Sequence, residues 1–334
     1  LPADVAVLEA KEPRRALALI AARFFGRQPQ TIAAVTGTGG KTSTVAFARQ
    51  LWSLEGREAA SLGTLGVISS KVNDPGSLTT PDTIALHELL ARLADSGVTH
   101  LAMEASSHGL DQHRLDGVAV TAAAFTNLSQ DHLDYHQTME AYFEAKLRLF
   151  DELLPAGGTA VVNARAKQAD RLVETARRRH HRLITFGGGG TDIALLKQRP
   201  IPQGQVLDIE VFGTRHVAEF PVAGAFQAEN LLAALGLVIG SGSDVNKIIG
   251  LIGRLAGRAA GVPRIAYTAH GFYFHDDMGF LPRTLHVGLE KLGARATDIL
   301  MTQSAEDAAT AIRLGLAPGG VVHAIGNGVD IDKF

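Results

Sequence analysis

The chain has 334 residues, 46% hydrophobic, 20% charged and 6% aromatic, which is a globular balance and excludes a disordered chain. Thirty-two Lys and Arg against 34 Asp and Glu leave a formal charge of −2, so there is no global field for nucleic acid or an anionic membrane, and an anionic ligand has to be gripped locally. With no Cys, disulfides, thiolate metal sites and a cysteine nucleophile are excluded, which fits a cytoplasmic location, and no apolar run approaches the ~20 residues that span a bilayer.

Residues 1–28 read as a lead-in, with a helix over 14–25, connecting from an N-terminal domain that is largely missing; the chain starts at Leu, not Met. An apolar strand over 31–36 is followed by glycines over 37–40 and a helix over 41–54. The alternation continues with a helix over 84–96, strands over 100–104 and 118–125, a helix over 139–152, a strand over 158–163 and a helix over 166–178. Such alternation predicts an α/β fold with a mostly parallel sheet covered by helices. From about residue 187 the composition changes: strands over 206–212 and 216–222 read as an antiparallel pair meeting at Gly213 and Thr214, followed by helices over 228–239 and 245–255. An Ala, Gly and Pro-rich linker, 259–263, precedes a smaller Rossmann-like α/β unit over 264–334, with strands over 264–269, 299–302 and 321–325 and helices over 281–294 and 305–314.

Thr36-Gly37-Thr38-Gly39-Gly40-Lys41-Thr42-Ser43 lies between a predicted strand and a predicted helix, the context a phosphate-binding loop requires. Glycines let successive backbone N–H groups face one concavity, the helix N-terminus adds positive potential, Lys41 reaches the outer phosphates and the Thr42 hydroxyl can ligate Mg²⁺. ATP or GTP is the ligand expected. The strict G-x-x-x-x-G-K-[ST] pattern is not met, because Val35 stands where its first glycine would be.

The variant loop resembles that of the Mur ligases and folylpolyglutamate synthetases. Leu78-Thr79-Thr80-Pro81-Asp82, the run from Met103 through Glu104 to Arg114, the run from Phe125 through His132 to His136, and Tyr142 to Phe150 around Lys146 resemble, in order, the motifs of the Mur ligases that add the third residue of the peptidoglycan stem peptide. The resemblance implies a P-loop Mur-ligase central domain over 29–258 and an ATP- and Mg²⁺-dependent amide-bond ligase acting through an acyl phosphate. Its substrates would be UDP-MurNAc-L-Ala-D-Glu and a diamino acid. It implies catalytic roles for Lys41, Lys146 and His132, and Mg²⁺ binding by Thr42, Glu104, His132 and a carbamylated Lys146. Gly37, Thr38, Gly39, Gly40, Lys41, Thr42, Ser43 and Asn230 would hold the nucleotide, and Thr79, Thr80, Ser106, Gln112 and Arg114 the muramyl dipeptide. Hydroxyls, an amide and a guanidinium suit that ligand.

Read without the resemblance, Glu104 could be a surface carboxylate, Lys146 a solvated charge and His136 an ordinary polar residue, while His180 and His181, within the basic run 177–182, read as a solvated helix end. Two local departures stand out: Gly39 where these ligases carry Asn or Ser, and Ala164-Arg165 after Asn163 where an acidic residue is usual. After Gly257-Arg258 the ligases' C-terminal domain is not matched. Segments around 265–275, 289–298, 304–307 and 325–334 resemble instead the N-terminal half of a GT-B glycosyltransferase, with His270 ending a strand either as a structural or as a functional residue. A glycosyltransferase-related chain and a non-catalytic nucleotide-binding module are the alternative functions.

Overall fold

The computed structural model describes residues 9–74, 78–202, 204–252, 266–269, 299–302, 304–316 and 321–324. The chain divides into two compact units, Leu1–Leu255 and Ala256–Phe334. In the first, α1 (Pro13–Phe25) precedes β1 (Thr31–Thr36), α2 (Lys41–Leu54), β2 (Ala59–Gly63), β3 (Gly66–Ser69), β4 (Asn73–Asp74), α3 (Thr83–Asp95) and β5 (His100–Glu104). Next come α4 (Ser107–Asp111), β6 (Ala122–Phe125), α5 (Leu133–His136), α6 (Met139–Arg148), β7 (Thr159–Asn163), α7 (Ala169–Arg178) and β8 (Arg182–Gly187). The unit ends with β9 (Ile193–Ile201), β10 (Gly204–Val211), β11 (Thr214–Phe220), α8 (Ala225–Gly240) and α9 (Val245–Leu251).

The strands form one eleven-stranded sheet in the order β11-β10-β9-β8-β7-β6-β1-β5-β2-β3-β4. From β2 to β9 the neighbours are parallel; β3 and β4 at one edge and β10 and β11 at the other are antiparallel. Period-two alternation sends Ala33 and Val35 of β1 to a core with Phe47, Leu51 and Trp52 of α2 and Leu231, Leu235 and Val238 of α8. Ile32 and Ala34 face the opposite core, with Leu86 and Leu90 of α3, Phe143 of α6 and Leu172 of α7. Both faces of the central strands are therefore covered, and polar groups reach solvent only at strand ends.

Several local expectations are corrected. The strand expected over 118–125 begins only at Ala122, because the Gln28 side chain engages the preceding backbone, donating to Gly117 O (2.8 Å) and accepting from Ala119 N (2.9 Å). The helix expected over 139–152 changes at Leu149 into a π-turn over Leu149–Leu153, closed by Leu154 N donating to Leu149 O at 2.9 Å. The hairpin turns on Phe212-Gly213, both at positive φ (47° and 79°), rather than on Gly213-Thr214, because two central residues of that hand match the twist of the strands. His181 is not solvated: His180 takes φ 57° and turns the next side chain inward, where His181 Nε2 bonds Leu154 O at 3.1 Å. β2, β3, β4, β8 and β9 had no counterpart among the strands expected from sequence.

In the second unit, β12 (Ala266–Ala269), β13 (Ile299–Thr302) and β14 (Val321–Ala324) make a parallel sheet, β12-β13-β14. Helix α10 (Ala305–Leu314) is capped by Ser304, whose Oγ accepts from Asp307 N at 2.9 Å. The helix expected over 281–294, the linker 259–263 and His270 lie outside the described residues. No described helix is long and apolar enough to cross a membrane.

Candidate functional site

The loop between β1 and α2 has two positions where no side chain fits. Gly37 (φ 143°) and Gly40 (φ 85°) carry backbone that L-residues rarely adopt, and a Cβ would overlap Thr126 Oγ1 at the first and Asn230 Oδ1 at the second. Gly39 differs: its φ is ordinary and a Cβ would find its nearest neighbour, Asn127 Oδ1, at 3.8 Å. A side chain such as the Asn or Ser of the resembled ligases is therefore sterically admissible at this position. Asn127 clasps the Gly39 residue, accepting from its N–H at 2.8 Å and donating to its carbonyl at 3.3 Å. Thr126 Oγ1 also donates to Gly39 O at 2.7 Å, and Thr38 Oγ1 accepts from Ser129 N at 3.0 Å. The strand pairing of β1 with β6 thus delivers the residues that shape the loop.

Two ammonium groups meet on this loop. Lys41 Nζ donates to Gly37 O and Thr38 O, both at 2.9 Å, and Lys146 Nζ donates to Gly37 O at 3.0 Å. Lys146 is 1% exposed and sits 4.3 Å over the Tyr142 ring, so the solvated-charge reading of this residue is excluded. Burial, reinforced by the charge of Lys41, drives the Lys146 amine well below its ordinary value. Burial also lowers Lys41, partly opposed by Glu104 and Asp131. Tyr142, whose hydroxyl lies 3.2 Å from Thr38 Oγ1, is pushed up to about 12 by burial.

Glu104 ends β5 and is buried, which excludes the surface-carboxylate reading. Its Oε1 accepts from Thr42 Oγ1 and Thr64 N, each at 2.9 Å, and its Oε2 accepts from Thr64 Oγ1 at 3.4 Å. Burial raises this carboxyl, against the lowering effect of Lys41 and the three donors. A Cβ at Gly63 would overlap the carboxylate, so the glycine ending β2 makes its room. A hydroxyl and a carboxylate oxygen at the N-terminus of α2 are the donor chemistry that Mg²⁺ takes, so these residues fit that ion.

Beyond Glu104 the expected substrate residues form one connected wall. Thr79 Oγ1 lies 3.1 Å from Thr64 Oγ1; Thr80 Oγ1 donates to Glu104 O and accepts from Ser106 N, both at 3.1 Å. Ser106 caps α4 by accepting from Gly109 N at 3.0 Å. Arg114 donates to Thr80 O at 2.8 Å and through two nitrogens to Gln112 Oε1 at 3.1 and 2.6 Å. Gln112 in turn donates to Tyr135 OH at 3.2 Å.

The remaining expected residues are placed differently. His132 precedes α5 at φ 52°, with its ring 5.0 Å from that of His108 and 6.1 Å from Tyr142. Thr42 and Glu104 are brought together by their hydrogen bond, and among the described residues no group of three or more His, Asp or Glu side chains is assembled for a metal. His136 is buried, and among the described residues its Nε2 has no hydrogen-bond partner. The helix expected over 228–239 already starts at Ala225, which places Asn230 in the second turn of α8. Ser43 lies in the first turn of α2. Thr64, Thr126 and Asn127 were given no role from sequence; Thr64 follows a strand whose small residues hid it, whereas Asn127 stood in a motif already singled out.

The family model described as the Mur ligase middle domain matches residues 35–238. A UDP-N-acetylmuramoyl-L-alanyl-D-glutamate--2,6-diaminopimelate ligase of Caulobacter vibrioides is 46% identical over 294 residues, covering 86% of this chain and 60% of the relative. The same-named ligase of Bradyrhizobium diazoefficiens is 51% identical over 257 residues, covering 76% and 53%. The chain thus spans less than two thirds of the length of these relatives. Among solved structures, one of a ligase of that name has a TM-score of 0.70 at 24% identity, over 98% of this chain and 75% of the other. A Mycobacterium tuberculosis folylpolyglutamate synthase complexed with ADP has a TM-score of 0.62 at 16% identity, over 98% and 87%. The resemblance of the tail to a glycosyltransferase half finds no support in these comparisons.

Proposed function

The chain belongs to the Mur ligase family, and from that premise we propose that residues 29–258 are the ATP-binding core of a ligase that joins a diamino acid to UDP-MurNAc-L-Ala-D-Glu, with 1–28 a connector. The name of the relatives points to 2,6-diaminopimelate as that amino acid. ATP and a nucleotide-linked precursor are cytoplasmic metabolites, and the reading puts the protein there.

The observation that carries this reading is the loop whose Gly37 and Gly40 leave no room for a Cβ, opening α2 beside the Thr42–Glu104 hydrogen bond. The loop N–H groups and α2 terminus bind the phosphates, and Lys41 exchanges its loop carbonyls for phosphate oxygens. The acceptor carboxylate, oriented by Arg114 and the Thr79–Ser106 wall, attacks the γ-phosphorus; the bond to the β-phosphate oxygen breaks and ADP leaves. The diamino acid's amine then attacks the acyl carbon, phosphate departs and the amine loses its proton. Thr42 and Glu104 would hold Mg²⁺, with His132 and a carbamylated Lys146 as further family-suggested ligands; the ion supplies neutralisation of charge on the phosphoryl oxygens. A neutral amine is the form that adds CO₂, and the depressed basicity of Lys146 supports that assignment.

The test is phosphate release from Mg-ATP with and without UDP-MurNAc-L-Ala-D-Glu. Release that requires the muramyl dipeptide is the expected result, and release indifferent to it would overturn the substrate assignment.

A further inference from the structure

We propose that the ion pair between Arg165 and Glu229 is the wall that receives the nucleoside of the bound nucleotide, Arg165 lying on the base and Glu229 accepting from ribose hydroxyls. The inference rests on the phosphate-loop reading and adds to it residues of the sheet's other half.

The strand order puts β1 and its loop between two sets of strand ends. On one side β5 and β2 supply Glu104 and Thr64, followed by the wall from Thr79 to Arg114; terminal phosphate and acceptor belong there. The nucleoside must leave the loop the other way, toward the ends of β6, β7 and β8. Two short paths run from the loop in that direction and converge. Thr126 Oγ1 donates to Gly39 O at 2.7 Å, Asn163 Nδ2 donates to Thr126 O at 2.7 Å, and Asn163 Oδ1 accepts from Arg165 N at 2.9 Å. From α8, Asn230 stands against Gly40, and its neighbour Glu229 accepts from Arg165 Nη1 at 2.9 Å.

The surroundings of the pair suit a flat ligand. Its guanidinium lies along Gly188, where a Cβ would come 3.2 Å from Nη2 and 3.4 Å from Nε, and positions 189 and 190 have open space where side chains would be. The two side chains are 53% and 36% exposed. Among the described residues, Arg165 Nε and Nη2 and Glu229 Oε2 have no hydrogen-bond partner, so both groups keep bonding capacity for a ligand. A planar, weakly hydrated guanidinium stacks on a purine, and a carboxylate accepts from ribose hydroxyls.

The experiment is calorimetric titration of the whole chain and of Arg165→Ala and Glu229→Ala with two probes, Mg-ATP and Mg-tripolyphosphate; the second engages the loop without a nucleoside. Each variant should weaken ATP by about fivefold to tenfold while leaving tripolyphosphate unchanged. Unchanged ATP affinity, or equal weakening of both probes, would overturn the inference while leaving the loop reading intact. A wild-type chain that binds neither probe defeats the loop reading and this inference with it.

Discussion

The two halves of the large sheet treat polar residues in opposite ways. In β1, β5, β6 and β7 nearly every residue is buried, because helices cover both faces, and the chemistry is confined to the C-terminal ends: the loop after Thr36, Glu104, the Thr126-Asn127 pair and Asn163. In β10 and β11 burial alternates along the strand, polar residues such as Asp208, Glu210 and Arg215 occupy the open face, and the site residues described above lie elsewhere. A doubly covered parallel sheet thus concentrates its polar groups at one edge, where desolvation shifts their proton affinities; on the half-open sheet the shift comes from pairing instead, the Arg215 guanidinium holding Asp208 below the ordinary carboxylate value.

Substitutions sharpen that contrast, the largest effects falling at the parallel strand ends. Glu104→Gln should lower dipeptide-dependent phosphate release by about 10²- to 10³-fold, in a phosphate-release assay. The same carboxyl has a folded-state value raised by burial, so its contribution favours folding below the ordinary value of 4.5 and is lost as pH rises through the raised value. At pH 7 it costs stability, and Glu104→Gln should melt at or above wild type; turnover of the wild type should fall as pH drops through that raised value. Gly37→Ala forces a Cβ onto Thr126 Oγ1 at a φ of 143° and should cost about 2–3 kcal/mol in denaturant unfolding. Gly39→Asn, two residues on, should leave unfolding and ATP affinity near wild type, because the nearest atom to its Cβ is 3.8 Å away. On the open hairpin, Val217→Ser replaces a side chain 70% exposed and should change stability by less than about 0.5 kcal/mol.

The same contrast governs what was legible from sequence. The phosphate loop, β1, α2 and β5 were read with their observed ends, since glycines, a lysine and unbroken apolar runs mark a covered strand feeding a helix. β2 was missed because Ala-Ala-Ser-Leu-Gly carries no β-branched or aromatic residue, and β9 because the polar run Lys197-Gln198-Arg199-Pro200 gives it no apolar alternation. Burial of Lys146 and His181 was invisible for another reason: it depends on which tertiary neighbours close over a position, Tyr142 and Gly37 for the first and Leu154 for the second. The connected wall from Thr79 to Arg114 stood in the sequence as separate motifs, and only folding joins them through Thr80 and the backbone of Glu104.

The central claim is that the loop after β1 grips nucleotide phosphates through Lys41. Calorimetric titration of Mg-ATP into wild type and Lys41→Met tests it most directly. The account predicts saturable binding by wild type and its loss in the variant; equal affinity in the two proteins would contradict it.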